Sequence, residues 1–142
     1  MHTSTLSNAL DDNSVTLKTS SQGRVLGVTV SMLHHFVTMN QTVLKETLYS
    51  SDSSPVTFLV CGTITRVDSQ QIMISEKGSS ETVRLDIRSV SCPPLTPGML
   101  IFAPIRLSNK KLFVLHIDTN PSSTTIEAVH LSAKEFAKIL YR

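Results

Sequence analysis

At 142 residues, with 40% hydrophobic and 17% charged side chains, the chain fits one domain plus a tail and can bury a core without disulfide or metal staples. No apolar run approaches the length of a membrane span, and the N-terminus carries neither a secretory signal pattern nor an Arg-rich presequence. A formal net charge of +2 neither requires nor excludes a nucleic-acid partner, because a local basic stripe can sit on a nearly neutral whole.

Residues 1–24 are rich in Ser, Thr and Asn and poor in large apolar groups, which predicts a flexible tail. Within it, Ser21-Gln22 matches the minimal site of DNA-damage kinases. From Val28 onwards, Met32, Leu33 and Phe36 stand at helical spacing, with Thr29 or Ser31 able to cap the start. Val43, Leu44 and Leu48 either continue a helix or begin a lead-in strand. The Ser50–Ser54 cluster with Pro55 then reads as a break.

Five β-like segments follow. Val56–Val67 is long and β-branched, with Gly62 inside it, as a sharply bent barrel strand requires. Ile72–Ser75 is the second. Glu81–Ile87 is the third and alternates, with Val83, Leu85 and Ile87 on one side and Arg84, Asp86 and Arg88 on the other. A Pro-rich loop through Pro97-Gly98 leads to Met99–Leu107, and Asn109-Lys110 turns into Leu112–Ile117. Five short strands with the longest, Gly-bent one first predict a mainly β protein, the five-stranded Greek-key barrel called the OB-fold. The domain organisation expected is a tail over 1–24, the barrel with its lead-in over 25–120, and a C-terminal helix over 121–142.

In that last segment Ile126, Val129, Ala133, Phe136 and Leu140 recur at alternating spacings of three and four residues. This is the narrow seam of a helix that packs lengthwise on other helices, and it predicts assembly with partner subunits. The alternative is a helix that plugs its own barrel. Thr124-Thr125-Ile126-Glu127 has the spacing of a capping box at its start.

The order of Thr29-Val30-Ser31-Met32-Leu33, the strand Val56–Ile64, Asp86-Ile87-Arg88, Pro97-Gly98, Asn109-Lys110-Lys111-Leu112 and a closing helix entered through Glu127 and His130 resembles the middle subunit of replication protein A over about residues 25–142. Related patterns occur in the OB subunits of the telomeric CST complex and in the small subunit of replication protein A. The resemblance implies a nuclear subunit of a single-stranded-DNA-binding heterotrimer in DNA replication, repair or telomere maintenance. It also implies that the seam Ile126, Val129, Ala133, Phe136 and Leu140 joins a three-helix bundle with partner subunits. Within these 142 residues no counterpart of the family's C-terminal winged-helix domain is expected.

OB-folds hold strands across the face of their second and third strands by aromatic stacking and phosphate contacts. Arg84 and Arg88 on the third strand, Lys110 and Lys111 at the last turn and Arg66 at the end of the first strand form the candidate phosphate track. Stacking is the weaker half. The chain has no Trp, Val90 stands where the family has an aromatic, Leu107-Ser108 replaces a second ring, and Phe58, Phe102 and Phe113 are expected in the core. Direct binding by this chain alone is therefore expected to be weak.

A catalytic site would need converging polar groups, and the acidic residues are scattered, no Gly-rich phosphate loop is present and no Cys or His pair has metal-ligand spacing. His34 and His35 diverge by about 100° on a helix. His116 and His130 are expected to be structural, and Cys61 and Cys92 to be free thiols. Neither enzyme activity nor a cofactor or metal is expected. The rival readings are a protein-interaction scaffold that never touches DNA and an RNA-associated OB protein.

Overall fold

The computed structural model describes residues 16–20, 23–49 and 54–141, of which 16–20 are described by backbone alone. The elements are β1 (Thr16–Ser20), β2 (Gly23–Gly27), α1 (Val30–Thr38), α2 (Gln41–Tyr49), β3 (Val56–Val67), β4 (Gln71–Ser75), β5 (Thr82–Asp86), β6 (Leu100–Ser108), β7 (Lys111–Val114) and α3 (Ser123–Leu140).

Twelve residues let β3 serve two neighbours. Its first half pairs antiparallel with β6 from Phe58 to Thr63, and its second half with β4 from Thr63 to Val67. The strand must bend where it changes partner. Gly62 sits at that point, where a Cβ would come within 3.0 Å of Ile74 Cδ1 and 3.1 Å of Ser75 O. From β4 the sheet continues antiparallel to β5, then parallel to β7, antiparallel to β6 and back to β3. The circuit is a closed five-stranded Greek-key barrel. The fold is an OB-fold.

Inward residues fill it with the expected period of two. Phe58, Val60 and Ile64 of β3, Ile72 and Ile74 of β4, Val83 and Leu85 of β5, Ile101, Ala103 and Ile105 of β6 and Leu112 and Val114 of β7 form one buried cluster. Helix α1 closes one end with Leu33 and Phe36, whose ring stands 5.3 Å from that of Phe58. Thr29 caps α1, its hydroxyl accepting from the Met32 backbone N–H at 3.0 Å. Between the two sequence options for Val43, Leu44 and Leu48 the structure takes the helix, capped by Asn40 Oδ1, which accepts from Thr42 N at 2.8 Å.

Two departures concern the ends. The tail expected over 1–24 falls largely on residues 1–15 and 21–22, outside the described residues, as does Ser21-Gln22. Residues 16–20 and 23–27, however, form antiparallel β1 and β2, and β2 runs parallel to the start of β3, Leu26 opposite Phe58. Leu26 and Val28 are buried there, so this hairpin is an extension of the barrel sheet.

The second departure is α3. Its cap is Ser122, whose hydroxyl accepts from Thr125 N at 3.1 Å, rather than Thr124. The seam is used inside the chain. Val129, Ala133 and Phe136 are 0%, 1% and 6% exposed. Val129 packs on the outward Leu59, Cys61 and Phe102, and Phe136 stands 6.3 Å from the Phe36 ring. Ile126 and Leu140 are half-buried beside the same clusters. Within the chain these residues pack lengthwise along the outer wall of the barrel and against α1, and do not plug the barrel. Gly27 permits the contact, since a Cβ there would come within 2.6 Å of Val129 O, and its N–H donates to Ser132 Oγ at 3.0 Å. No described helix is long and apolar enough to cross a membrane.

Candidate nucleic-acid interface

Strands β5 and β7 pair at one register position, Asp86 opposite Phe113. Ahead of that point they splay, and a groove of about 540 Å³ opens between Thr82–Arg84 on one side and Lys110–Leu112 on the other, with Val37 of α1 and the outward Gln71 and Met73 of β4 in its lining. A smaller recess of about 220 Å³ holds Arg66, Val67 and Asp68 and shares Gln71, Met73 and Arg84 with the first. The two form one track.

All five candidate cations stand along it. Arg84 and Arg88 follow from the alternation of β5, whose inward partners Val83, Leu85 and Ile87 are buried. Arg66 lies at the end of β3, in register with Met73. Lys110 and Lys111 are placed by a two-residue hairpin loop, because Asn109 and Lys110 have φ of 51° and 64° and Ser108 pairs with Lys111. Two positive φ values are the mark of a type I′ turn, whose second position favours Gly. A Lys held there is a local strain beside the groove, of the kind found at functional positions.

Two carboxylates temper the charge. Asp68 is a turn residue whose Oδ1 accepts from Gln70 N at 2.8 Å and Gln71 N at 2.9 Å, and these bonds hold its carboxyl below the usual range. Asp86 faces Arg88 directly: Arg88 Nη2 donates to Oδ2 at 2.6 Å and Nε to the same oxygen at 3.0 Å, while the Arg88 backbone N–H donates to Oδ1 at 2.9 Å. The side-chain bonds from Arg88, then its backbone bond, depress the Asp86 carboxyl, with a further contribution from Lys111. Arg88 is thus committed in part to a neighbour, whereas Arg66, Arg84, Lys110 and Lys111 are exposed.

No aromatic ring lines either recess among the described residues. The three strand phenylalanines expected in the core separate. Phe58 is inside the barrel, and Phe102 is buried between the barrel wall and α3. Phe113 is not in the core. With Leu112 and Val114 buried on either side, it points outward, half-buried, and belongs to neither apolar cluster. Sequence reasoning also passed over Gln71 and Met73, groove residues whose place follows from the outward phase of β4, and Gln70 in the turn before it. His116 and His130 are exposed, whereas His34 Nδ1 lies 3.2 Å from Thr82 O and the His35 ring stands edge-on to Tyr141 with centroids 5.9 Å apart. Cys61 is buried and Cys92 half-buried, both free thiols, and among the described residues no three His, Cys, Asp or Glu side chains gather as a metal site would need.

No protein-family model matches the chain, and no curated protein matches it in sequence. Solved structures do match in shape. The crystal structure of yeast Stn1 and Ten1 superposes with a TM-score of 0.54 at 12% identity, over 87% of this chain and 77% of that one. The telomere capping protein Ten1 from Saccharomyces pombe gives 0.48 at 9% identity, over 82% and 98%. Apo-CusF from Escherichia coli gives 0.41 at 15% identity, over 50% and 95%. At these identities the likeness speaks for the barrel fold alone.

Proposed function

We propose that this chain is a non-enzymatic OB-fold subunit of a nuclear, heteromeric single-stranded-DNA-binding complex, of the telomeric CST or replication protein A kind. The observation that carries the reading is the groove, where five cations from β3, β5 and the β6–β7 turn line one track against two carboxylates. Such a track suits a flexible phosphate backbone and supplies affinity without sequence preference. The yeast Stn1 and Ten1 structure, alike in fold, holds two proteins together, which agrees with a subunit of an assembly. Contact with partner subunits through α3 stays within this reading. Its half-buried Ile126 and Leu140 and its exposed Leu131 and Ile139, 44% and 47% accessible, are the apolar side chains still open to a partner.

A second reading, a scaffold that binds only protein, is favoured by the ring-free lining and by the Asp86–Arg88 pair. Charge reversal separates the two. Arg84→Glu, Arg88→Glu, Lys110→Glu and Lys111→Glu together should abolish strand binding while leaving partner binding intact. Unchanged strand binding by the assembled complex would leave only the scaffold.

A further inference from the structure

Phe113 has a position that the core does not explain. Strand β7 puts Leu112 and Val114 into the barrel, so the ring between them stands on the outer wall. In register it lies between Asp86 of β5, where the groove ends, and Arg106 of β6, which is exposed. Lys111, two residues earlier and therefore on the same face of β7, lines the groove itself. A partly accessible ring bracketed by Lys111 and Arg106 at the mouth of a cationic track is a poor arrangement for a solvated surface. It is a good one for a base whose flanking phosphates need cations.

We propose that Phe113 is the base-stacking position of this barrel, and that the strand leaves the groove over β7 towards Arg106. The inference rests on the reading of the groove as a nucleic-acid site and adds to it the ring that the groove lacks. It places stacking on the barrel's last strand, away from the end of β5 and from the β6–β7 turn, where Val90, Leu107 and Ser108 offer no ring. A flat apolar face at this point accepts any base, so the site is sequence-tolerant, and Arg106 becomes a sixth phosphate partner.

The chain has no Trp, so Phe113→Trp installs a single fluorescent reporter in the ring's own position. The probe is an oligothymidylate of roughly 16 nucleotides, the upper site size of one OB-fold. On titration, emission from this variant should be quenched in step with the anisotropy of the labelled strand. Phe113→Leu should weaken binding on the order of 5- to 150-fold without altering its salt slope, whereas Arg106→Gln should lower that slope by about 0.7. Strand binding that leaves the emission unmoved, or an unchanged affinity in Phe113→Leu, overturns the stacking assignment and leaves the groove reading standing. Absence of strand binding by the parent chain and by its complex would overturn both. Loss of partner binding in Phe113→Asp with strand affinity intact would reassign the ring to a protein contact.

Discussion

Asp86 offers the most discriminating perturbation of the groove, because its removal should strengthen strand binding. The carboxylate holds Arg88 through two side-chain bonds of 2.6 and 3.0 Å to Oδ2 and sits beside Lys111. While that pair persists, four cations are fully available, Arg66, Arg84, Lys110 and Lys111. Four phosphate contacts to a single strand contribute about −2.8 to the log–log salt slope, or roughly 50-fold loss between 50 and 200 mM salt, before any contribution from Arg106. Asp86→Asn releases Arg88 as a fifth contact. The Asn Oδ1 can still accept the Arg88 backbone N–H, now at 2.9 Å, so the turn is kept. The slope should steepen by about 0.7, with affinity raised about eightfold at 50 mM and about threefold at 200 mM. Fluorescence anisotropy of a labelled oligothymidylate across that range measures both quantities. A weaker affinity, or a gain without any change of slope, would refute the idea that Arg88 is a phosphate ligand held in check by Asp86.

Other expectations concern the scaffold and the turn. Phe136→Ala, at a buried ring packed near Phe36, should cost about 3–5 kcal/mol in denaturant unfolding of the isolated chain, and an unmoved midpoint would mean that α3 is not docked on the barrel. Gly27→Ala drives a Cβ against the Val129 carbonyl and should cost about 1–3 kcal/mol by the same measurement. Lys110→Gly relieves a left-handed residue by about 1 kcal/mol while freeing the unfolded chain by about 0.4–1 kcal/mol, so stability should hold nearly constant. The same variant should lower the strand-binding salt slope by about 0.7. Burial, reinforced by Asp118, pushes the Cys61 thiol up to about 11, so at pH 8 alkylation should proceed at Cys92 and leave Cys61 unmodified, as mass spectrometry of the labelled chain would read.

The barrel was legible because its signals are local. Alternation from Val83 to Ile87, the bend at Gly62 and the Asn109-Lys110 turn each fix an element within a few residues, and the cations of β5 and the turn follow from them. The β1–β2 extension was hidden because β2 is recruited by parallel pairing to β3, some thirty residues on, and a short segment around Gly23, Arg24 and Gly27 carries little apolar periodicity of its own.

The docking of the helix on its own barrel was not legible for a geometric reason. Seam and ordinary amphipathic stripe differ by about 20° per heptad, so over the 18 residues of α3 the drift stays well inside a stripe about 100° wide. Spacing alone therefore reveals an apolar face without saying what covers it. Phe113 was lost because Leu112, Phe113 and Val114 are all apolar, and the one polar mark of the outward phase, Lys111, was read as part of the turn rather than of the strand.

Amide chemical-shift mapping of the labelled chain with oligothymidylate tests the central claim most directly. Binding at the track should shift amides at 66–73, 82–88 and 106–113 and leave α3 unaffected. Shifts concentrated on α3 and the outer face of β2, or none at all at strand concentrations above about 10⁻⁴ M, the weak end of non-specific binding, would contradict it.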